Sequence, residues 1–124
     1  MRNIMCAALS VAAMAATHAW AADAPKAPKA YVIGEVNVTD METYKTYAAK
    51  TSPIVAKFGG IYIARGGQTV PVEGAAPAGR IVVIEFPSLA AAKAFEVSAE
   101  YLKVAPIRQR SSTGRFFIVE GTAP

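Results

Sequence analysis

The sequence predicts an α+β domain in the ferredoxin-like split β-α-β arrangement, one sheet with its helices on one face. Three observations carry this. Short β-branched runs alternate with longer segments of helical period, in the order β-α-β-(β)-β-α-β. The run Arg80–Phe86, RIVVIEF, is almost wholly apolar, as a central strand is. The strands also carry too little polarity on either face for one face to be fully wet. A second subunit packing sheet to sheet would cover that face, so a homodimer forming a dimeric α+β barrel is expected.

Each element follows from its own pattern. In AYVIGEVNV, Val32, Gly34, Val36 and Val38 point one way and Tyr31, Ile33, Glu35 and Asn37 the other, which reads as a first strand with one purely apolar face. TDMETYKTYAAKTSPIVAKFGG reads as a helix. Thr39 and Glu42 have capping-box spacing, and Met41, Tyr44, Ala48, Val55 and Phe58 fall near one face. Pro53 lies inside that pattern and is expected to kink or split the helix. Gly59 suits the left-handed position after a helix end.

IYIAR is the second strand, with Ile61, Ile63 and Arg65 on one face and Tyr62 and Ala64 on the other. Gly66-Gly67 reads as a turn and QTVPVEG as a short edge strand, because Pro71 has no N–H for the middle of a sheet. After RIVVIEF, Ser88 caps a helix through LAAAKAFEV. Ser98 caps another through AEYLKVAPIRQR, with Pro106 inside it. GRFFIVEG is the last strand.

The N-terminus reads differently. Arg2 precedes an apolar run from Ile4 to Ala16, and Ala19-Trp20-Ala21 has the small-x-small form of a signal-peptidase site. The run is too short to span a bilayer, so residues 1–21 are expected to be a signal peptide. ADAPKAPKA, residues 22–30, would be an extended tether, 31–121 the domain, and 122–124 a short tail. Secretion, most simply to the periplasm of a Gram-negative bacterium, is the expected destination, with no membrane span after cleavage.

Cleavage would remove the chain's one Cys, one His and one Trp, which are Cys6, His18 and Trp20. The mature chain would then have no disulfide, thiol nucleophile or imidazole base, and no zinc, copper or haem site of the Cys/His kind. No metal and no cofactor is expected. Losing Arg2 from the 13 Lys and Arg leaves 12, against 9 Asp and Glu. This mild basicity has no aromatic-studded stripe, which argues against nucleic acid as a partner. GGIYIARGG lacks the Lys-Ser/Thr of a phosphate loop and does not open a helix.

Taken in order, YVIGEVNVTDMETYKTY, KFGGIYIARGG, VEG, RIVVIEFPSLAAAKAF, SAEYLKVAPIRQR and FFIVEG resemble the domain of unknown function 1330 family, over nearly all of residues 31–121. The resemblance implies a dimeric α+β barrel. It implies no reaction and supplies no catalytic residues. The signal peptide, Pro53 and Pro106 depart from the usual pattern.

Two constellations could carry chemistry. Glu35 and Glu85 are single carboxylates on strands expected to be neighbours. If both faced the barrel lumen and approached, one pKa would rise and the pair could act as acid and base. The competing reading places them in ion pairs at strand ends or at the dimer seam, with Arg65 and Arg115 within reach. Tyr101 and Arg108, seven residues apart, share a helix face and could hold a carboxylate or carbonyl; otherwise Tyr101 is core and Arg108 snorkels to water. Tyr44 and Tyr47 read as core and rim.

Two functions are therefore carried forward. One is a small-molecule-binding or structural homodimer without catalysis. The other is a cofactor-free enzyme, isomerase or monooxygenase-like, acting on a small, partly apolar, anionic substrate. In the enzyme reading Glu35 or Glu85 transfers the proton and Arg65 or Arg108 holds the anion. Related barrels with such activities support the second by analogy of fold alone.

Overall fold

β1 (Ala30–Val38) buries alternate residues, and it is one of the two inner strands of the sheet in this computed structural model, which describes residues 26–124. The other elements are α1 (Met41–Lys57), β2 (Ile61–Arg65), β3 (Arg80–Phe86), α2 (Leu89–Val97), α3 (Ala99–Ser111) and β4 (Ser112–Glu120). The strands lie in the order β2-β3-β1-β4, and each neighbouring pair is antiparallel. The predicted split arrangement is therefore present, with RIVVIEF in a central position. The expected signal peptide lies outside the described residues. Ala30 is fully buried and pairs with Phe86 and Glu120, so β1 spans the whole of AYVIGEVNV as expected and takes in the last residue of the expected tether.

One sheet face carries Val32, Val36, Val82, Ile84 and Phe86, all buried under the helices. Tyr44, Tyr47 and Val55 of α1, Phe95 of α2 and Tyr101 and Val104 of α3 complete that core. Phe95 stacks between Phe86 and Tyr101, with ring centroids 5.3 and 4.5 Å away. Burying each such ring contributes about 2–3 kcal/mol. The opposite face has no cover among the described residues. Ile61, Ile63, Phe117 and Val119 are all roughly half exposed or more.

The helix starts follow local chemistry. Ser88 Oγ accepts from Ala91 N–H at 3.1 Å and Ser98 Oγ from Tyr101 N–H at 3.2 Å, as expected from the sequence. For α1 the cap is Asp40 rather than Thr39: its carboxylate accepts from Thr43 N–H and from Thr43 Oγ1 at 3.2 and 2.6 Å. Thr39 instead donates its N–H to the Ser111 carbonyl at the end of α3. Both helices run continuously across Pro53 and Pro106. Met41, expected on the buried face, is 49% exposed, because burial on α1 follows Tyr44, Tyr47, Thr51 and Val55. Gly59 has φ +78°, the left-handed end of α1.

Two strand expectations need correction. QTVPVEG forms no strand. Val70 and Val72 stand 73% and 96% exposed, and with Pro71 between them the segment pairs with no strand among the described residues. Arg65 also does not share a face with Ile61. Tyr62 pairs with Ile84, but Ala64 pairs with Val83 and Arg65 with Val82, so β2 bulges by one residue between Tyr62 and Ala64. The extra residue inverts the alternation and turns Arg65 to the helix side.

Candidate functional site

The bulge in β2 creates the site, because it aims Arg65 at α1. Arg65 Nη2 donates to the Ala48 carbonyl at 3.2 Å and to Ser52 Oγ at 2.9 Å. Its guanidinium lies 4.0 Å from the centre of the Tyr62 ring. Behind it is a narrow cleft between α1 and the sheet, walled by Tyr44, Tyr47, Tyr62, Val82, Ile84 and Phe116. The cavity is about 20 Å³, room for one or two waters.

Phe116 reaches this cleft from β4, across β1, because residue 34 is glycine. Gly34 pairs with Phe116 in the sheet, and a Cβ at position 34 would collide with the Phe116 ring. The ring therefore lies over the bare backbone, the usual partnership of an aromatic side chain with a cross-strand glycine. Arg108 of α3 stacks on the same ring at 4.2 Å.

Arg80 completes the polar rim. It donates to the Arg65 carbonyl at 3.2 Å, and its guanidinium lies 5.2 Å from the Tyr44 ring centre. Gly66, with φ +72°, leaves the room Arg80 occupies: a Cβ there would meet Arg80 Nη2 at 2.7 Å. The glycine after Arg65 is thus both turn and clearance.

Deeper in, the Tyr47 and Tyr101 hydroxyls lie 3.0 Å apart, both side chains buried. Burial pushes the Tyr47 hydroxyl far above the ordinary tyrosine range, and the neighbouring Tyr101 adds to the shift. Burial also raises Tyr44, against the pull of Arg80, Arg108 and Arg65, and raises Tyr62 against Arg65. All three tyrosines are therefore neutral near pH 7, able to donate a hydrogen bond and poor as bases.

The residues singled out in the sequence divide cleanly. Arg65, Tyr101 and Arg108 all reach this cluster. Glu35 and Glu85 do not. They stand on the open face of the sheet, where Glu35 pairs with Arg115 at 2.6 Å and Glu85 with Lys29 at 2.5 Å. Glu35 lies opposite Ile81 and Glu85 opposite Tyr31, four residues apart along the strands or about 13 Å. Within one chain the two carboxylates form no shared acid–base pair. The competing expectation, ion pairs on strands, describes them.

Tyr44, Tyr62, Ser52 and Arg80 join the site without a site signal of their own in the sequence. The tyrosines come from two separate elements, and only the bulge places Arg65 beside Tyr62. For Arg80, a charge at the head of an otherwise apolar strand is the nearest to one. No group of three or more His, Cys, Asp or Glu that could hold a metal ion occurs among the described residues. No helix among them is long and apolar enough to cross a membrane.

A family model described as "Domain of unknown function (DUF1330)" matches residues 29–122. Similar solved structures include a protein of unknown function from Rhodopseudomonas palustris, 17% identical, with a TM-score of 0.64 over 78% of this chain and 85% of that one. They also include SnoaB, a cofactor-independent oxygenase from Streptomyces nogalater, 13% identical, with a TM-score of 0.57 over 79% and 97%. A third is a protein of unknown function from Bacteroides thetaiotaomicron, described as a possible oxidoreductase, 15% identical, with a TM-score of 0.52 over 78% and 99%. At these identities the likeness is one of fold. No curated protein matches the chain.

Proposed function

The chain belongs to the family described as a domain of unknown function (DUF1330), and from that premise we propose that it is a small-molecule-binding homodimer of the periplasm. The ligand is small and partly apolar and enters the cleft between α1 and β2. The observation that carries this is the cleft itself: aromatic walls, buried hydroxyls and a guanidinium at the mouth, the composition of a ligand site rather than of a plain core. The cleft is narrow, so binding a ring-sized ligand requires β2, an edge strand held by one neighbour, to part from α1.

A thermal-shift screen of aromatic acids, phenols and lactones tests this. A ligand that binds only the folded state raises the melting temperature in proportion to its occupancy. Ala48→Phe fills the cleft without removing a polar group and is expected to abolish the shift. No stabilisation by any compound, or stabilisation undiminished in Ala48→Phe, would overturn the cleft as the site.

The homodimer rests on the open face with Ile61, Ile63, Phe117 and Val119, an apolar area of the kind that marks association. Sedimentation is expected to give twice the chain mass, and Phe117→Lys to halve it. A wild-type monomer at tens of micromolar would contradict it.

Cofactor-free catalysis is the second reading. The Tyr47–Tyr101 hydroxyl pair favours it, and the fold neighbour SnoaB, a cofactor-independent oxygenase, is in keeping with it. With its pKa raised, Tyr47 would act as a hydrogen-bond donor to a carbonyl or developing oxyanion, not as a base. Turnover lost in Tyr101→Phe with ligand binding kept would be its signature.

A further inference from the structure

Arg65 lines the cleft, Arg80 and Arg108 lie against two of the rings that wall it, and none of the three has an ion-paired carboxylate among the described residues. Among the described residues the ion pairs lie elsewhere: Glu85 with Lys29, Glu35 with Arg115, Glu100 with Lys57 and Glu42 with Lys45. Arg65 has only neutral acceptors on α1, and Arg80 only the Arg65 carbonyl. The Nε atoms of Arg80 and Arg108 are buried without any acceptor. Glu96 feels the charge of Arg108 but forms no ion pair with it, and burial raises its own pKa against that charge, which weakens it as a counter-ion. Arginine remains charged in any protein setting, so the positive potential of the cleft is permanent.

A buried guanidinium Nε–H without an acceptor is a standing cost. Nε and one Nη form the fork that matches two carboxylate oxygens. Each of these arginines also lies on the face of a ring that lines the cleft: Arg65 on Tyr62, Arg80 on Tyr44 and Arg108 on Phe116. Charge and flat apolar surface are therefore presented together.

We propose that the cleft is a carboxylate site for a flat aromatic acid, the anion accepting hydrogen bonds from Arg80 and Arg108 and the ring lying among Tyr44, Tyr62 and Phe116. This rests on the cleft being the ligand site, and it names the class of ligand. The cleft must widen for it, because a ring of benzene size needs a cavity of about 150 Å³. Arg65, hydrogen-bonded to Ala48 and Ser52 across the mouth, is the contact that opening has to break.

Calorimetry of the full chain with benzoate and its neutral isostere benzamide at pH 7 tests the inference. Benzoate is expected to bind at least about tenfold more tightly, and its affinity alone should fall with added salt. Arg80→Gln and Arg108→Gln should each weaken benzoate by about tenfold and leave benzamide unchanged. Equal affinity for the two probes would overturn the carboxylate site and leave the cleft standing. Binding of neither would overturn both. Gln variants that keep the wild-type near-UV spectrum and bind benzoate undiminished would also overturn it. Should a Gln variant fail to fold, Arg108→Lys, which keeps the charge but loses the fork, should retain the preference for benzoate over benzamide at reduced affinity. A Lys variant with full affinity would show that the fork has no part.

Discussion

The two faces of this sheet use charge in opposite ways. On the open face Glu35 and Glu85 are neutralised by Arg115 and Lys29, and Ile61, Ile63, Phe117 and Val119 stand roughly half exposed or more. On the helix face Arg65, Arg80 and Arg108 lie against the rings of an aromatic cleft, with no carboxylate in ion-pair contact among the described residues. Carboxylates on strands look like catalytic candidates in a sequence, yet here they have partners. The groups left with unspent hydrogen-bonding capacity are cations. The contrast shows that the partner of a charge, more than its position on a strand, marks a place where a ligand fits.

The contrast can be broken most strongly from the helix side. Phe95 is 1% exposed and packs on Phe58, Phe86 and Tyr101. Phe95→Ala should cost about 3–5 kcal/mol in denaturant unfolding. A loss below 1 kcal/mol would mean that this face is not the tight core described. Gly34→Ala should cost about 1–3 kcal/mol, since the new methyl meets the Phe116 ring and the ring must leave the cleft. Ligand-dependent stabilisation should vanish with it. A stable variant that still binds would show that Phe116 does not form the floor.

Tyr47→Phe leaves the buried Tyr101 hydroxyl without its partner and should cost about 1–2 kcal/mol at pH 7. It should also change the alkaline behaviour. The folded Tyr47 keeps its proton at pH values where the unfolded chain's tyrosine loses it. Its contribution is therefore complete below about pH 10 and is lost as pH rises above that, at about 1.4 kcal/mol per pH unit. Stability measured from pH 9 to 11 should fall less steeply in Tyr47→Phe than in wild type. Equal slopes would show that Tyr47 ionises in the folded state as freely as in the unfolded chain. The smallest effect is expected on the open face: Glu35→Gln should change stability by less than about 1 kcal/mol and leave ligand binding untouched. A loss of binding there would return the glutamate to the site.

How far the sequence discloses this contrast depends on the range of the interaction involved. Ser88, Ser98 and Gly59 act on their own helix ends, so their roles are readable from neighbours a few residues away. The sheet order is readable because RIVVIEF has the composition of a buried strand. Arg65 is not readable in this way. Its face depends on one extra residue in β2 relative to β3, and nothing in IYIAR marks which residue bulges. The cap of α1 is Asp40 rather than Thr39, at a helix start whose Thr39 and Asp40 N–H groups both donate to the Ser111 carbonyl at the end of α3, far away in the chain. Glu35 and Glu85 lie on adjacent strands as expected, but their separation depends on register, which only the pairing fixes. Side-chain chemistry alone marks Arg65 in the sequence, and helix spacing marks Tyr101 and Arg108. Tyr44, Tyr62 and Arg80 join them only through tertiary packing.

The central claim is that the helix-side cleft, and not the open face, receives a ligand. Amide and side-chain NMR shifts during a benzoate titration test it most directly. The account predicts saturable shifts at Tyr44, Tyr62, Arg65, Arg108 and Phe116, with Tyr31, Glu35, Phe117 and Val119 still. Shifts confined to the open-face set, with the cleft residues unmoved, would contradict it.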